Sequence, residues 1–447
     1  MSALLKQPLS AIVPQVDRAQ GVFIYDAQGR DYLDGSGGAM TVSIGHGVPE
    51  VLAAMQEQAA KVCFTYRTHF TSTAAEELAD LLASVAPGDI DHVFFVNSGS
   101  EATELAMRVA IQYWREKGQP GKTHVLGRQI SYHGMTMGSL SMSGHAARRA
   151  DYGDLLHTFA VAPPPYPYRF PVADWALPTH GAAAWEKAIE EHGADKIAAI
   201  IVEPIVGAAG GALTPPIGYL KALREICDRH DILLISDEVI TGVGRTGSWF
   251  ACDQDDIVPD MIATGKGMTS GYTPMGAVLF RDKLIAALRE NGTTAPFGHT
   301  FSANPLSAAT CLAVLKYMQK NAVLDNVAPR GAQLEAGLRR LSARYPWMVD
   351  VRGRGLLWGF EFVSDVESRK PIDPALNANS RFVAHCFAAR LIVYSAGIAP
   401  YNNAALLAPP LVITEDEMNL LLHRLEQALK TFGRELGLPV WDENIAA

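Results

Sequence analysis

Between residues 22 and 33 (VFIYDAQGRDYL) apolar and polar positions alternate on either side of Asp26-Ala27-Gln28-Gly29. That is the pattern of two short antiparallel strands joined by a tight turn. From about residue 50 the pattern changes. Helical segments such as Pro49 to Lys61 and Ala74 to Val85 alternate with the short apolar runs 92–96 (HVFFV), 124–127 (HVLG), 197–203 (IAAIIVE), 232–238 (ILLISDE), 261–265 (MIATG) and 276–280 (GAVLF). Runs without alternation, separated by helices, predict strands buried on both faces, so the middle of the chain reads as an α/β layered domain.

The C-terminal third reads differently. A long helix begins near Ala328, residues 351–362 (VRGRGLLWGFEF) form a strand or hairpin, and a helix spans Ala375 to Arg390. A strand near Leu391 to Tyr394 and an amphipathic helix from Thr414 to Leu436 complete a smaller α+β lobe. The segment Ala162 to Pro171 is rich in proline and is expected to be irregular, since proline joins neither a ladder nor a helix interior. The division is therefore 1–60 as the N-terminal part of a small domain, 61–327 as a large domain and 328–447 as the C-terminal part of the small one.

Composition narrows the function. At 447 residues the chain suits two lobes rather than one core. A net charge of −9 offers no basic face for nucleic acid, so a small molecule is the expected partner. No apolar stretch approaches the roughly 18 residues of a membrane span. The first twenty residues lack the pattern of a secretory signal, and the expected location is the cytoplasm. Five cysteines lie far apart with no C-x-x-C pair, which argues against disulfides and zinc; no metal site is expected.

Three features carry chemistry. The run ILLISDE ends in Asp237-Glu238, where an open α/β sheet places its ligand crevice beyond the strand ends. The run MIATG delivers Lys266 between Gly265 and Gly267, where desolvation and a nearby cation would lower its pKa and make it a nucleophile. Asn97-Ser98-Gly99-Ser100-Glu101-Ala102 joins a strand to a helix, so its backbone N–H groups form a phosphate cradle. Taken singly, Asp237 or Glu203 also fits a helix cap or a pair with Arg245, and Lys266 fits a turn. Tyr132 and His133 alone read as packing residues, and Arg245 reads as structural. An amine, a carboxylate and a phosphate cradle together describe a pyridoxal-phosphate pocket.

With NSGSEA (97–102), YHG (132–134), VEPI (202–205), the long block 215–247, ATGKG (263–267), GHTFSANP (298–305) and APPLVIT (408–414) in this order, the chain resembles the class III aminotransferases of fold type I. The resemblance, nearly end to end, implies a large domain with a mostly parallel sheet, a smaller α+β domain and pyridoxal 5′-phosphate. It makes Lys266 the Schiff-base lysine and proton shuttle, and Asp237 the partner of the pyridine nitrogen. Ser98, Gly99 and Ser100 become the phosphate loop, Tyr132 and Val239 the walls of the ring, and His133 and Glu203 supporting residues. Thr300 would reach the phosphate from a neighbouring subunit, so a homodimer with shared sites is expected, possibly assembled further into a tetramer.

The chain also departs from the family. Counting back from Pro409-Pro410-Leu411, the arginine of the omega-transaminase branch is Ala399, and that of the ornithine and 4-aminobutyrate branch is Leu406. The latter branch's glutamate partner is Ala208. These losses tilt the acceptor from 2-oxoglutarate toward pyruvate and the donor toward an omega-amino acid or primary amine. An acidic substrate still needs a partner. The candidates are Arg67, or Tyr401 with Asn402 and Asn403 beside Ala399; Arg67 fits a surface or interface ion pair equally well. The expected reaction is a ping-pong amino transfer. A decarboxylase or aminomutase on the same fold is the nearest alternative, while the glycine run 207–211 lacks the spacing of a dinucleotide-binding loop.

Overall fold

The structure, a computed structural model, describes all residues except 1–2, 7–8, 10, 158, 160, 167, 170–177, 293–297, 399–402 and 442–447. Six apolar runs become strands of one seven-stranded sheet. Its order is Ile90–Val96, Gly276–Arg281, Met261–Thr264, Leu233–Asp237, Ile197–Val202, His124–Arg128 and Val161–Ala162. The five strands from Met261–Thr264 onward run parallel, and Gly276–Arg281 is antiparallel to both of its neighbours.

The unbroken apolar runs have a direct structural cause. All six side chains of Ile197–Val202 are buried. Ala199, Ile201, Leu233 and Ile235 join the cluster of Leu105, Ala106 and Val109, from the helix Gly99–Glu116. On the other face Ile200, Val202 and Leu234 join Leu220, Leu223 and Ile226 of the helix Tyr219–Arg229. Each large aliphatic side chain so enclosed contributes about 1.5–3 kcal/mol. Parallel strands stacked between helices also leave their carboxyl ends at one edge, where the loops are free to carry polar groups.

Two smaller sheets flank this one. Val16–Gln20, Phe23–Asp26 and Asp31–Asp34 form an antiparallel set, which Leu391–Ile392 joins in parallel beside Asp31–Asp34. The N-terminal strands thus share a sheet with a strand of the C-terminal third. Met348–Arg354 and Leu357–Asp365 form a hairpin that continues through Ala404–Leu407 to Tyr394–Ala396. The single strand expected over 391–394 is therefore two, in different sheets.

Other expectations shift at their edges. The helix expected over 375–390 spans Ala378–Ala388, because Pro374–Leu376 forms its own turn, capped by Asp373, and Asn377 takes a left-handed φ of 48°. Ala162 is not irregular; with Val161 it pairs beside Gly127 and Arg128, a two-residue strand too short to leave a pattern. The final helix, Glu415–Leu436, is opened by a capping box between Thr414 and Glu417. Cys227, Cys252, Cys311 and Cys386 are buried and Cys63 is exposed, all as free thiols. Among the described residues no helix is long and apolar enough to cross a membrane.

Candidate active site

Five segments at the carboxyl edge of the central sheet meet around one cavity of about 150 Å³. Neighbouring parallel strands pair Asp237 with Ala263, so Asp237 ends one strand beside the point where Lys266 follows the next. The other contributions are Ser98-Gly99-Ser100 after Ile90–Val96, Tyr132-His133-Gly134 after His124–Arg128, and Glu203 after Ile197–Val202. Val239 and Ile240 complete the wall.

Close approach explains the glycines. A Cβ on Gly99 would stand 2.7 Å from Val239 Cγ1, filling the gap between the helix start and Val239. Gly134, at φ 140°, has Ser100 where its Cβ would go. The two loops are stitched together: Met135 N–H donates to Ser100 Oγ at 3.1 Å, and the Thr103 hydroxyl donates to the His133 carbonyl at 2.6 Å. Lys266 itself has a left-handed φ of 40°, a conformation that costs a non-glycine residue energy and marks a constrained position.

The adjacent carboxylates of Asp237 and Glu238 take opposite roles. Glu238 is turned into the protein, where it accepts from the N–H groups of Ala251 and Cys252 and from the Thr241 hydroxyl. Asp237 faces the cavity; its Oδ2 lies 2.7 Å from His133 Nδ1 and its Oδ1 accepts the Val239 N–H at 3.1 Å. His133 Nε2 is buried without a partner. Glu203 accepts the N–H groups of Tyr132 at 3.0 Å and Gly207 at 2.9 Å. Burial pushes its carboxyl up, and the charge of Asp237 adds to that, against the pull of His133 and the two N–H donors. Burial lowers the Lys266 amine to about 8, with the charge of Arg148 acting the same way and Asp237 and Glu203 acting against it.

These residues fit pyridoxal phosphate. The cavity holds an amine with a depressed pKa and a carboxylate fixed by a histidine. The helix Gly99–Glu116 points its first turn, whose N–H groups have no intrahelical partners, at the same space. A glycine stands where any side chain would intrude.

Not every expected residue arrives. Thr300 is exposed and does not line the cavity, next to Phe301, which is 58% exposed. Arg67 lies beside that segment, its guanidinium 5.3 Å over the Phe94 ring, and it does not line the cavity either. Phe64 and Phe301 touch with ring centroids 5.6 Å apart. Ala399, Tyr401 and Asn402 lie outside the described residues, and the Asn403 amide donates to the Ile372 carbonyl. Arg245 pairs with neither Asp237 nor Glu203. It is buried and donates to the carbonyls of Leu356 and Pro409, tying the loop after the Asp237 strand to the C-terminal segments.

Two neighbours of the cavity carry no motif and were not anticipated. Arg148 lies 4.1 Å over the Tyr132 ring, and His145 stands edge-on to that ring at 6.2 Å. Burial, then the charge of Arg148, lowers His145 to about 4, so it is neutral near pH 7. Their only trace in the sequence is a basic cluster sixteen residues beyond Tyr132, which reads as solvated surface.

Comparison with known proteins bears on the same site. The sequence model of the family "Aminotransferase class-III" matches residues 6–429. The aminotransferase YodT of Bacillus subtilis (strain 168) is 41% identical over 97% of this chain and 99% of its own. The taurine–pyruvate aminotransferase of Bilophila wadsworthia is 35% identical over 94% of this chain and 93% of its own. A solved amine transaminase from an uncultivated Pseudomonas species, in its PLP-bound form, superposes with a TM-score of 0.89 at 36% identity, covering 97% of this chain and 98% of the other.

Proposed function

Because the chain belongs to the class III aminotransferases, we propose that it transfers an amino group from an omega-amino acid or primary amine to a keto acid, pyruvate in preference to 2-oxoglutarate. The observation that carries this reading is the convergence of the Lys266 amine, lowered to about 8, and the Asp237 carboxylate on one cavity.

Pyridoxal 5′-phosphate, when bound, supplies the electron sink that weakens the bonds at the substrate's amino-bearing carbon. Lys266 would hold the cofactor and, once the donor amine has taken its place there, its freed Nζ would take and return the proton at that carbon. Asp237 would keep the pyridine nitrogen positive, and His133 holds Asp237 in place. Gly99 and Ser100 would hold the phosphate, with Ser98 beside them. Tyr132 and Val239 would wall the ring, and Glu203 supports Tyr132 through its backbone. All of these residues fall within the 61–327 unit.

Proton transfer by Lys266 requires the neutral amine. At an ordinary lysine pKa of about 10.4 only a few molecules in ten thousand are neutral at pH 7; at about 8 roughly one in ten is. In cofactor-free protein, labelling of Lys266 by a small acylating reagent, read by peptide mass spectrometry, is expected to rise with pH to a midpoint near 8. A midpoint near 10 would remove the electrostatic part of the reading.

A homodimer completes the site in this proposal, with Thr300 serving the neighbouring subunit. The exposed Phe301 beside Thr300, in contact with the exposed Phe64, supports it, since exposed large apolar residues brought together are what an interface uses. The acceptor preference rests on the filled arginine position. Leu406 is fully buried in a cluster with Ile240, which lines the cavity, and leaves no charge for a second carboxylate. A relative named taurine–pyruvate aminotransferase points the same way.

The test is the visible spectrum of the cofactor-loaded protein. A donor amine should bleach the yellow band and pyruvate should restore it; carbon dioxide released from the donor would favour the decarboxylase alternative instead.

A further inference from the structure

The proposed substrates carry an acidic group, and the positions from which the family's arginines reach it are Ala399 and Leu406. Arg148 supplies a cation close to the cavity from a different element. The short helix Ala146–Arg149 is anchored by Arg149, whose guanidinium donates to the carbonyls of Leu140, Ser141 and Ser143. That anchoring leaves the neighbouring Arg148 against Tyr132, a wall of the cavity, with its guanidinium carbon 4.1 Å from the ring centroid. Among the described residues no carboxylate pairs with Arg148, although it is half-buried, whereas the half-buried Arg169 and Arg224 pair with Glu361 and Asp260.

Stacking on an aromatic face holds a guanidinium in place while its N–H edge stays available to a planar or tetrahedral oxyanion. The charge of Arg148 also reaches Lys266; the guanidinium is not itself among the lining side chains but stacks on Tyr132, which lines the cavity together with Lys266. His145, on the same ring, is neutral near pH 7 and does not compete for an anion.

We propose that Arg148 binds the acidic group of the substrate: the carboxylate of the keto acid acceptor and the distal carboxylate or sulfonate of an omega-amino donor. This deepens the aminotransferase reading and rests on it. Donor and acceptor occupy the site in turn, so one cation serves both half-reactions, and a neutral primary amine makes no use of it.

The test compares wild type with Arg148→Gln and Arg148→Lys, all loaded with pyridoxal phosphate. Propionate and ethanesulfonate, which lack a reacting amine or ketone, are titrated against the visible band. KM for pyruvate and the rate of bleaching by a neutral monoamine are measured alongside. In Arg148→Gln the affinity for propionate is expected to fall, and KM for pyruvate to rise, by about tenfold to a hundredfold, the worth of a charge-assisted pair. That loss should exceed any change in bleaching by the neutral amine at least tenfold. Arg148→Lys, which keeps charge but loses the fork, should fall between. Weakening of one acid and not the other assigns Arg148 to that acid. Unchanged affinity for both acids overturns the proposal, and so does an equal loss for pyruvate and the neutral amine, which marks a structural role. If no amine bleaches the wild type, the aminotransferase reading fails, while the propionate titration still decides whether Arg148 binds an acid.

Discussion

Replacing Lys266 with alanine is expected to lower the rate of amino transfer by about ten-thousandfold, the upper range for loss of a positioned acid–base group. Among the described residues the lysine is the only amine on the cavity wall, so no neighbour takes its place: the other lining residues are serines, glycines, an aromatic, a histidine, two carboxylates and two aliphatics. Lys266→Arg should be as inactive, because a guanidinium stays protonated in proteins and cannot accept the proton, whereas Lys266 is lowered to about 8 by burial. The measurement is the single-turnover bleaching rate with a donor amine, with cofactor retention checked by gel filtration. Because Asp237, His133 and the helix start are untouched, the variants should keep the cofactor without turning over. Turnover within tenfold of wild type would remove Lys266 from the mechanism.

The strands were legible because a sheet covered on both faces demands unbroken apolar runs, and six such runs became neighbours in one sheet. Residues at the ends of those runs were legible for the same reason. Asp237 and Lys266 are polar groups directly following apolar strands, and parallel pairing brings them to one edge. Residues placed by loops were not. Arg148 reaches Tyr132 only because Arg149 is fastened to three carbonyls, an arrangement without any period in the sequence. Arg67 looked suited to the cavity by its position in the chain, yet its guanidinium lies over Phe94, on the side of Thr300 and Phe301. The choice between Asp237 and Glu238 was also beyond pattern. It depends on three donors, at Ala251, Cys252 and Thr241, that draw Glu238 inward.

Asp237→Asn is expected to cost about a hundredfold to a thousandfold in kcat, the range for loss of a single preorganised electrostatic group. The substitution keeps size and shape; the amide oxygen still accepts the Val239 N–H, and the NH2 group donates to His133 Nδ1 in the other ring tautomer, so packing should survive. What disappears is negative charge. Glu203 cannot supply it, because its oxygens are held by the N–H groups of Tyr132 and Gly207. Glu238 is committed to its own donors. The pyridine nitrogen would therefore lose its only counter-charge among the lining carboxylates, and the electron sink would weaken in both half-reactions, so kcat falls with donor and acceptor alike. A cofactor analogue methylated at the ring nitrogen, positive without a carboxylate, should recover much of the loss in Asp237→Asn and none of the loss in Lys266→Ala. If Asp237→Asn kept wild-type kcat, or if the analogue gave no recovery, the carboxylate would be holding the loop rather than the charge.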